Sequence, residues 1–155
     1  MIYIAHRGLF SGPDPTMENR PEQIEQACAL GFECEVDLWV LRFESHNRFY
    51  LGHDSPQYEI DIDFLTNHPL WIHAKNIYAL HTLKDSGLNC FWHDKDEYTL
   101  TSLGYIWANP GSELTDKSIM VMPEYVDASL ENAFNAECYG ICSDYIQRIK
   151  TVRSY

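Results

Sequence analysis

The sequence predicts a single α/β domain spanning residues 1–155, a compact, reduced (β/α)8 TIM-barrel-like fold with several outer helices shortened or missing. Two observations predict it. Eight short apolar or aromatic runs recur along the chain, several separated by helical periodicity, which is the mark of parallel strands covered on both faces. Almost every run ends in a polar, chemically capable residue, as at the carboxyl-terminal face of a (β/α)8 barrel. An open doubly wound sheet would also gather polar groups at strand ends, so the pattern narrows the choice without deciding it.

The strand candidates are Ile2–Ala5, Phe32–Leu38, Phe49–Gly52, Leu70–Ala74, Asn89–Trp92, Tyr105–Ala108, Ile119–Met122 and Gly140–Cys142. Pro21 suits a first helical position, with Ile24 and Cys28 on one face of a helix that closes at Leu30 or Gly31. Asn76 can cap a second helix carrying Ile77, Leu80 and Leu83, with Gly87 as its stop. Asp127 or Ser129 can open a third through Leu130, Ala133 and Phe134, and Ile146, Ile149 and Val152 give a terminal one. Asn109-Pro110-Gly111 reads as a turn. The chain is short for this fold, since such barrels take about 250 residues and seldom fewer than about 200. The connections Asp37 to Phe49 and Asp94 to Tyr105 leave no room for a helix, so loops, or a partner chain, are expected to cover those strands.

Composition excludes several classes. No apolar run approaches the roughly 18 residues of a membrane span, and no basic, then apolar, leader opens the sequence, so a cytoplasmic protein without membrane insertion is expected. A net charge of −12 argues against nucleic acid as a partner. The five cysteines, odd in number and without metal-ligand spacing, are expected to be reduced thiols. Monomer and homodimer both remain open.

The strand ends carry the chemistry. His6-Arg7-Gly8 follows the first run, Glu35-Val36-Asp37 lies in the second, Gly52-His53-Asp54 follows the third, and His73-Ala74-Lys75 ends the fourth. In a strand, Glu35 and Asp37 project to one side and can share a divalent cation. An arginine fork and a lysine suit phosphoryl oxygens, and a histidine near neutrality can take or give a proton.

Together with Glu18-Asn19, the first three of these motifs resemble in order and spacing, over roughly the first 55 residues, the glycerophosphodiester phosphodiesterase family, related to phosphatidylinositol-specific phospholipases C, and Ile72-His73-Ala74-Lys75 looks like that family's acid-x-Lys strand. Gly140-Ile141-Cys142-Ser143-Asp144 resembles that family's final strand. The resemblance implies a metal-dependent phosphodiesterase acting on a small glycerol- or polyol-phosphodiester. His6 and His53 would form the acid/base pair, with the order of roles open, and Arg7 and Lys75 would neutralise the phosphate. Glu35, Asp37 and His73 would hold one divalent ion (Mg, Mn or Ca). The family has Glu or Asp at the position of His73, and an imidazole there shifts the choice toward Mn or another transition metal.

Glu18 reads either as a ligand close to the metal or as helix-opening chemistry. Asn19, His93, Trp107 and Glu124 are candidate substrate contacts, although His93 also fits an acidic solvated turn and Trp107 also fits packing. His46, His68 and His81 carry no motif. Two other functions are compatible with the same residues: a metal-dependent sugar isomerase or epimerase, and a non-catalytic binder of a phosphorylated ligand.

Overall fold

A computed structural model describes all of residues 1–155. Ten strands and five α-helices form a mixed α/β fold on one mostly parallel sheet. The parallel strands are β1 (Ile2–Ala5), β2 (Glu33–Arg42), β5 (Leu70–Ala74), β6 (Cys90–Phe91), β8 (Ile106–Ala108), β9 (Ser118–Val121) and β10 (Gly140–Ser143). Parallel pairing links β6–β5–β2–β1–β10–β9–β8, so chain order runs outward from β1 on one side and returns to it on the other. β3 (Asn47–Leu51), β4 (Tyr58–Ile60) and β7 (Tyr98–Leu100) pair antiparallel.

The Phe49–Gly52 run is therefore not one of the parallel strands. β2 continues four residues beyond Leu38 through Trp39, Val40 and Leu41, and β3 folds back along it with Leu38 opposite Leu51. The short Asp37-to-Phe49 connection has this cause: a hairpin needs no crossover helix. Barrel closure by a ladder is also not shown, because β6 pairs only with β5. The two ends of the sheet are instead tied through β7 and its turn. Ser102 N donates to Cys90 O, Cys90 N donates to Ser102 Oγ, Ser102 Oγ donates to Leu88 O, and Thr99 Oγ1 donates to Trp92 O.

Helices α1 (Pro21–Ala29), α3 (Ile77–Leu83) and α5 (Ile146–Arg153) stand where periodicity places them, and Asn76 caps α3 by accepting from Ala79 N. α3 stops at Leu83, short of Gly87, and α4 (Glu131–Phe134) is a single turn. Helix α2 (Ile62–Asn67) was not expected, although Asp61 caps it by accepting from Phe64 N.

Strand alternation sorts the side chains into two cores. Ala5, Cys34, Val36, Leu38, Ile72 and Ile141 point outward and pack under α1, α3 and α5 with Ile24, Ala79, Ile146 and Ile149. Ile4, Trp71, Phe91, Trp107, Ile119 and Cys142 point inward and form a second, smaller core. Its aromatic rings meet across the sheet, with Trp107 centred 4.6 Å from Phe91 and 5.9 Å from Trp71. Sheet curvature accounts for this, since β5 and β8 lie far apart along the pairing path.

Two glycines fix the turns that deliver site residues. Gly8 (φ 80°) follows Arg7 (φ 52°), and a Cβ at Gly8 would stand 3.0 Å from Ile24 Cγ1. Gly52 has φ 151°, and a Cβ there would meet Ser55 O at 2.1 Å, which only a shift of backbone relieves. Gly52→Ala is expected to destabilise the protein by about 1–3 kcal/mol, read from urea unfolding midpoints at unchanged slope.

Candidate metal centre and its histidines

The inward face alternates along each strand, so the residue two places beyond an inner-core side chain emerges at the carboxyl end of the sheet. Ile4 is followed by His6, Trp71 by His73 and Lys75, Phe91 by His93, and Cys142 by Asp144. On β2 the inward residues are Glu33, Glu35 and Asp37, and pairing with β5 sets Glu35 beside Trp71 and Asp37 beside His73. Period-two geometry thus brings together groups that are distant in the chain.

Asp37 is the hub. Its carboxylate, 1% exposed, has Asn19 Nδ2 at 2.9 Å, His73 Nδ1 at 3.1 Å, Arg7 Nε and His53 Nδ1 each at 3.3 Å, and Lys75 Nζ at 3.6 Å. Burial opposes its ionisation, but bonds from His53 and His73 and the Arg7 charge outweigh burial and hold the carboxyl well below the usual range. Glu35 differs: burial, then the Asp37 charge, push its pKa upward. Its Oε2 accepts from Arg7 N at 3.1 Å and lies 4.0 Å from His6 Nε2.

Each of the two motif histidines is anchored through Nδ1 to an aspartate. His6 Nδ1 is 2.8 Å from Asp144 Oδ1, and His53 Nδ1 is 3.3 Å from Asp37 Oδ2. Arg7 Nη2 donates toward His53 Nε2 at 3.2 Å, which fixes that nitrogen as the acceptor and Nδ1 as the protonated one. Around His6, burial favours the neutral ring, yet the Asp144 bond and the Glu35 charge prevail and raise its pKa. Asp144 is itself positioned: Glu124 accepts from Asp144 N and from Ser143 Oγ.

The other expected residues fall into three groups. Arg7 Nη1 donates to Glu18 at 2.8 Å, so Glu18 stands beside the centre and orients the guanidinium. His93 lies over His73 with ring centroids 4.7 Å apart, and its backbone oxygen faces His73 Nε2 at 3.2 Å. Asn19, expected as a substrate contact, is a fully buried clip whose Nδ2 donates to Asp37 and whose Oδ1 accepts from Asp37 N. Trp107, expected likewise, lies deeper, stacked on Phe91 beneath His73 and 4% exposed. Glu124 holds the Asp144 segment. Sequence reasoning placed Asp144 with Glu124 at late strand ends around the pocket through its final-strand motif, but no local feature pairs it with His6.

Glu35, Asp37 and His73 can hold a metal ion, since one ligand atom from each lies within 4.8 Å of the others and all three residues are buried. Charge agrees with that fit. The carboxyl groups Glu18, Glu35, Asp37 and Asp144 outnumber the fixed cations Arg7 and Lys75, an acidic balance that suits a divalent ion.

Replacing Asp144 by Asn removes both influences through which that residue raises His6, leaving burial and Arg7, which lower it, against Glu35 alone. The His6 ring is therefore expected to titrate above the usual imidazole range in the wild type and at lower pH in Asp144→Asn, followed by NMR of the imidazole carbons. No protein-family model, curated protein or solved structure matches the chain, so assignment rests on this geometry.

Proposed function

We propose that the protein is a metal-dependent phosphodiesterase of the glycerophosphodiester type, on a reduced barrel, cleaving a small glycerol- or polyol-phosphodiester. The observation that carries the reading is the pair of Asp–His couples, His6–Asp144 and His53–Asp37, which meet one guanidinium and one buried ligand group: His53 through Arg7 and Asp37, His6 beside Glu35. A sugar isomerase could use the same ligand group, but it has no need of Arg7 and Lys75 both drawn onto the metal-ligating carboxylate.

Glu35, Asp37 and His73 would hold the ion, which when bound supplies Lewis-acid polarisation of a phosphoryl oxygen. The remaining work falls to the chain's own groups. Arg7, kept in place by Glu18, and Lys75 counter the charge that grows on the phosphoryl oxygens. The lone pair of His53 Nε2, held by Arg7 Nη2 in this structure, comes free when Arg7 turns to the phosphoryl oxygens and then accepts the proton of the attacking hydroxyl, either of water or of the substrate's own neighbouring alcohol. His6, favoured in its protonated form by Asp144 and Glu35, donates from Nε2 to the departing alkoxide. Asp144 and Asp37 keep the two rings turned so that each presents Nε2.

His6→Ala and His53→Ala are each expected to lower kcat by about 10²–10⁴-fold on bis(p-nitrophenyl) phosphate, with metal affinity by calorimetry retained in His6→Ala. Binding of a phosphate ester without turnover under any divalent ion would overturn the enzyme reading in favour of a binder. We expect Mn to support faster turnover than Mg, a chelator to abolish turnover, and His73→Asp to move the preference toward Mg, measured as kcat/KM with each ion.

A further inference from the structure

Helix α1 ends on a turn that brings the chain straight back against it. Gly31 N donates to Cys28 O and Phe32 N to Ala27 O, with Gly31 in the left-handed region (φ 79°), so the direction reverses within two residues of the last helical turn. Lys150 closes the turn from outside: its ammonium donates to Gly31 O at 3.4 Å and stands 4.8 Å from the Phe32 ring centre. Cys34, the second residue of β2, therefore returns beneath the end of α1, and its Sγ lies 3.7 Å from Cys28 Sγ. No other two of the five thiols are in contact.

The two sulfurs differ in access. Cys34 is fully buried, its strand held on both sides by Ala5 of β1 and Leu70 of β5, and its Sγ also faces Ile24 O at 3.8 Å. Cys28 is half-buried at the helix end, where a small reagent reaches it. Contact with the Cys34 thiol holds the Cys28 thiol below its usual pKa, against the effect of burial. An outer sulfur that meets the reagent, with an inner one already beside it, is the arrangement of an attacking and a resolving cysteine.

We infer that Cys28 and Cys34 are a redox-modifiable dithiol, closed to a reversible disulfide by a small-molecule disulfide such as oxidised glutathione. This stands independently of the phosphodiesterase reading. In the first step the Cys28 thiolate attacks one sulfur of the reagent; a Cys28–glutathione bond forms, the reagent's S–S bond breaks, and the departing thiolate takes up the proton that Cys28 released. In the second, the Cys34 sulfur attacks the Cys28 sulfur, and the second glutathione leaves with the Cys34 proton. Two protein thiols are oxidised and one reagent disulfide is reduced to two thiols. The sulfurs close from 3.7 Å to about 2.0 Å, and the end of α1 is the part that yields, because β1 and β5 hold β2. The bond ties the helix that supports the Arg7 turn, through Gln23 Nε2 donating to Gly8 O, to the strand that carries Glu35 and Asp37.

The test treats the folded protein with oxidised glutathione, quenches in acid, and alkylates the remaining thiols under denaturing conditions before tryptic mass spectrometry. No Lys or Arg lies between residues 28 and 34, so one peptide carries both cysteines. That peptide is expected to lose two hydrogens and escape alkylation, and to regain both on treatment with dithiothreitol, while Cys90, Cys138 and Cys142 stay open to alkylation. Cys34→Ala is expected to stop at one glutathione on Cys28, and Cys28→Ser to give neither adduct nor bridge. The oxidised protein is expected to melt about 3–8 °C above the reduced one. Cys28 and Cys34 left as thiols, a wild type that halts at the Cys28 adduct, a bridge through another cysteine, or an oxidised form that melts lower would each overturn the inference.

Discussion

A single buried carboxylate organises the molecule's chemistry. Asp37 sits at the point where β1, β2, β5 and the β3 hairpin converge, and a buried charge of this kind is tolerable only when it is richly paired. Here it is over-paired: one amide, two imidazoles, a guanidinium and an ammonium all face its two oxygens. Removing Asp37 would therefore leave four basic groups facing one another, with only Glu35 and the Glu18 that holds Arg7 to balance them. That concentration of donors makes the site as much a structural joint as a reactive one. Asn19 shows the same dual character, because its amide holds Asp37 while its own backbone N donates to Arg7 O.

The fold serves this joint by simple alternation. An inner apolar layer of Ile4, Trp71, Phe91, Trp107 and Cys142 supports the polar layer one step further along each strand. The aromatic stack Trp107–Phe91–His73–His93 links core to site without a gap. Outer helices cover only part of the sheet, chiefly over β1, β2 and β5, where the larger core lies. Around β7 and β8 there is no helix, and Leu100 and Leu103 stand exposed on that side. The economy in length falls at β7 and β8.

Legibility in the sequence followed locality. β1 and β5 stand where short apolar runs ended in polar residues, and α1 and α3 announced themselves through Pro21 and Asn76. Arg7, Glu35, Asp37, His53, His73 and Lys75, expected to share a centre, lie together because each occupies the same phase of a strand or the turn after it. β4 and β7 escaped notice because three residues, Tyr58-Glu59-Ile60 and Tyr98-Thr99-Leu100, are too few to show a period. Trp39-Val40-Leu41 carried the information that β2 continues, but a strand that leaves the ring to enter a hairpin has no distinct local signature. Trp107 and Asn19 both lie buried, since residue type suggests capability, whereas depth along the strand decides access.

The two Asp–His couples differ greatly in chain separation. Asp37 and His53 are 16 residues apart across one hairpin, while His6 and Asp144 are 138 apart and meet only because β1 lies against β10. During synthesis on the ribosome the first couple can assemble as soon as β3 has turned back on β2, whereas His6 must wait until β10 has been made. The second couple thus forms only once β1 and β10 are joined, so a nascent chain that stops short of β10 holds one Asp–His couple and lacks the other.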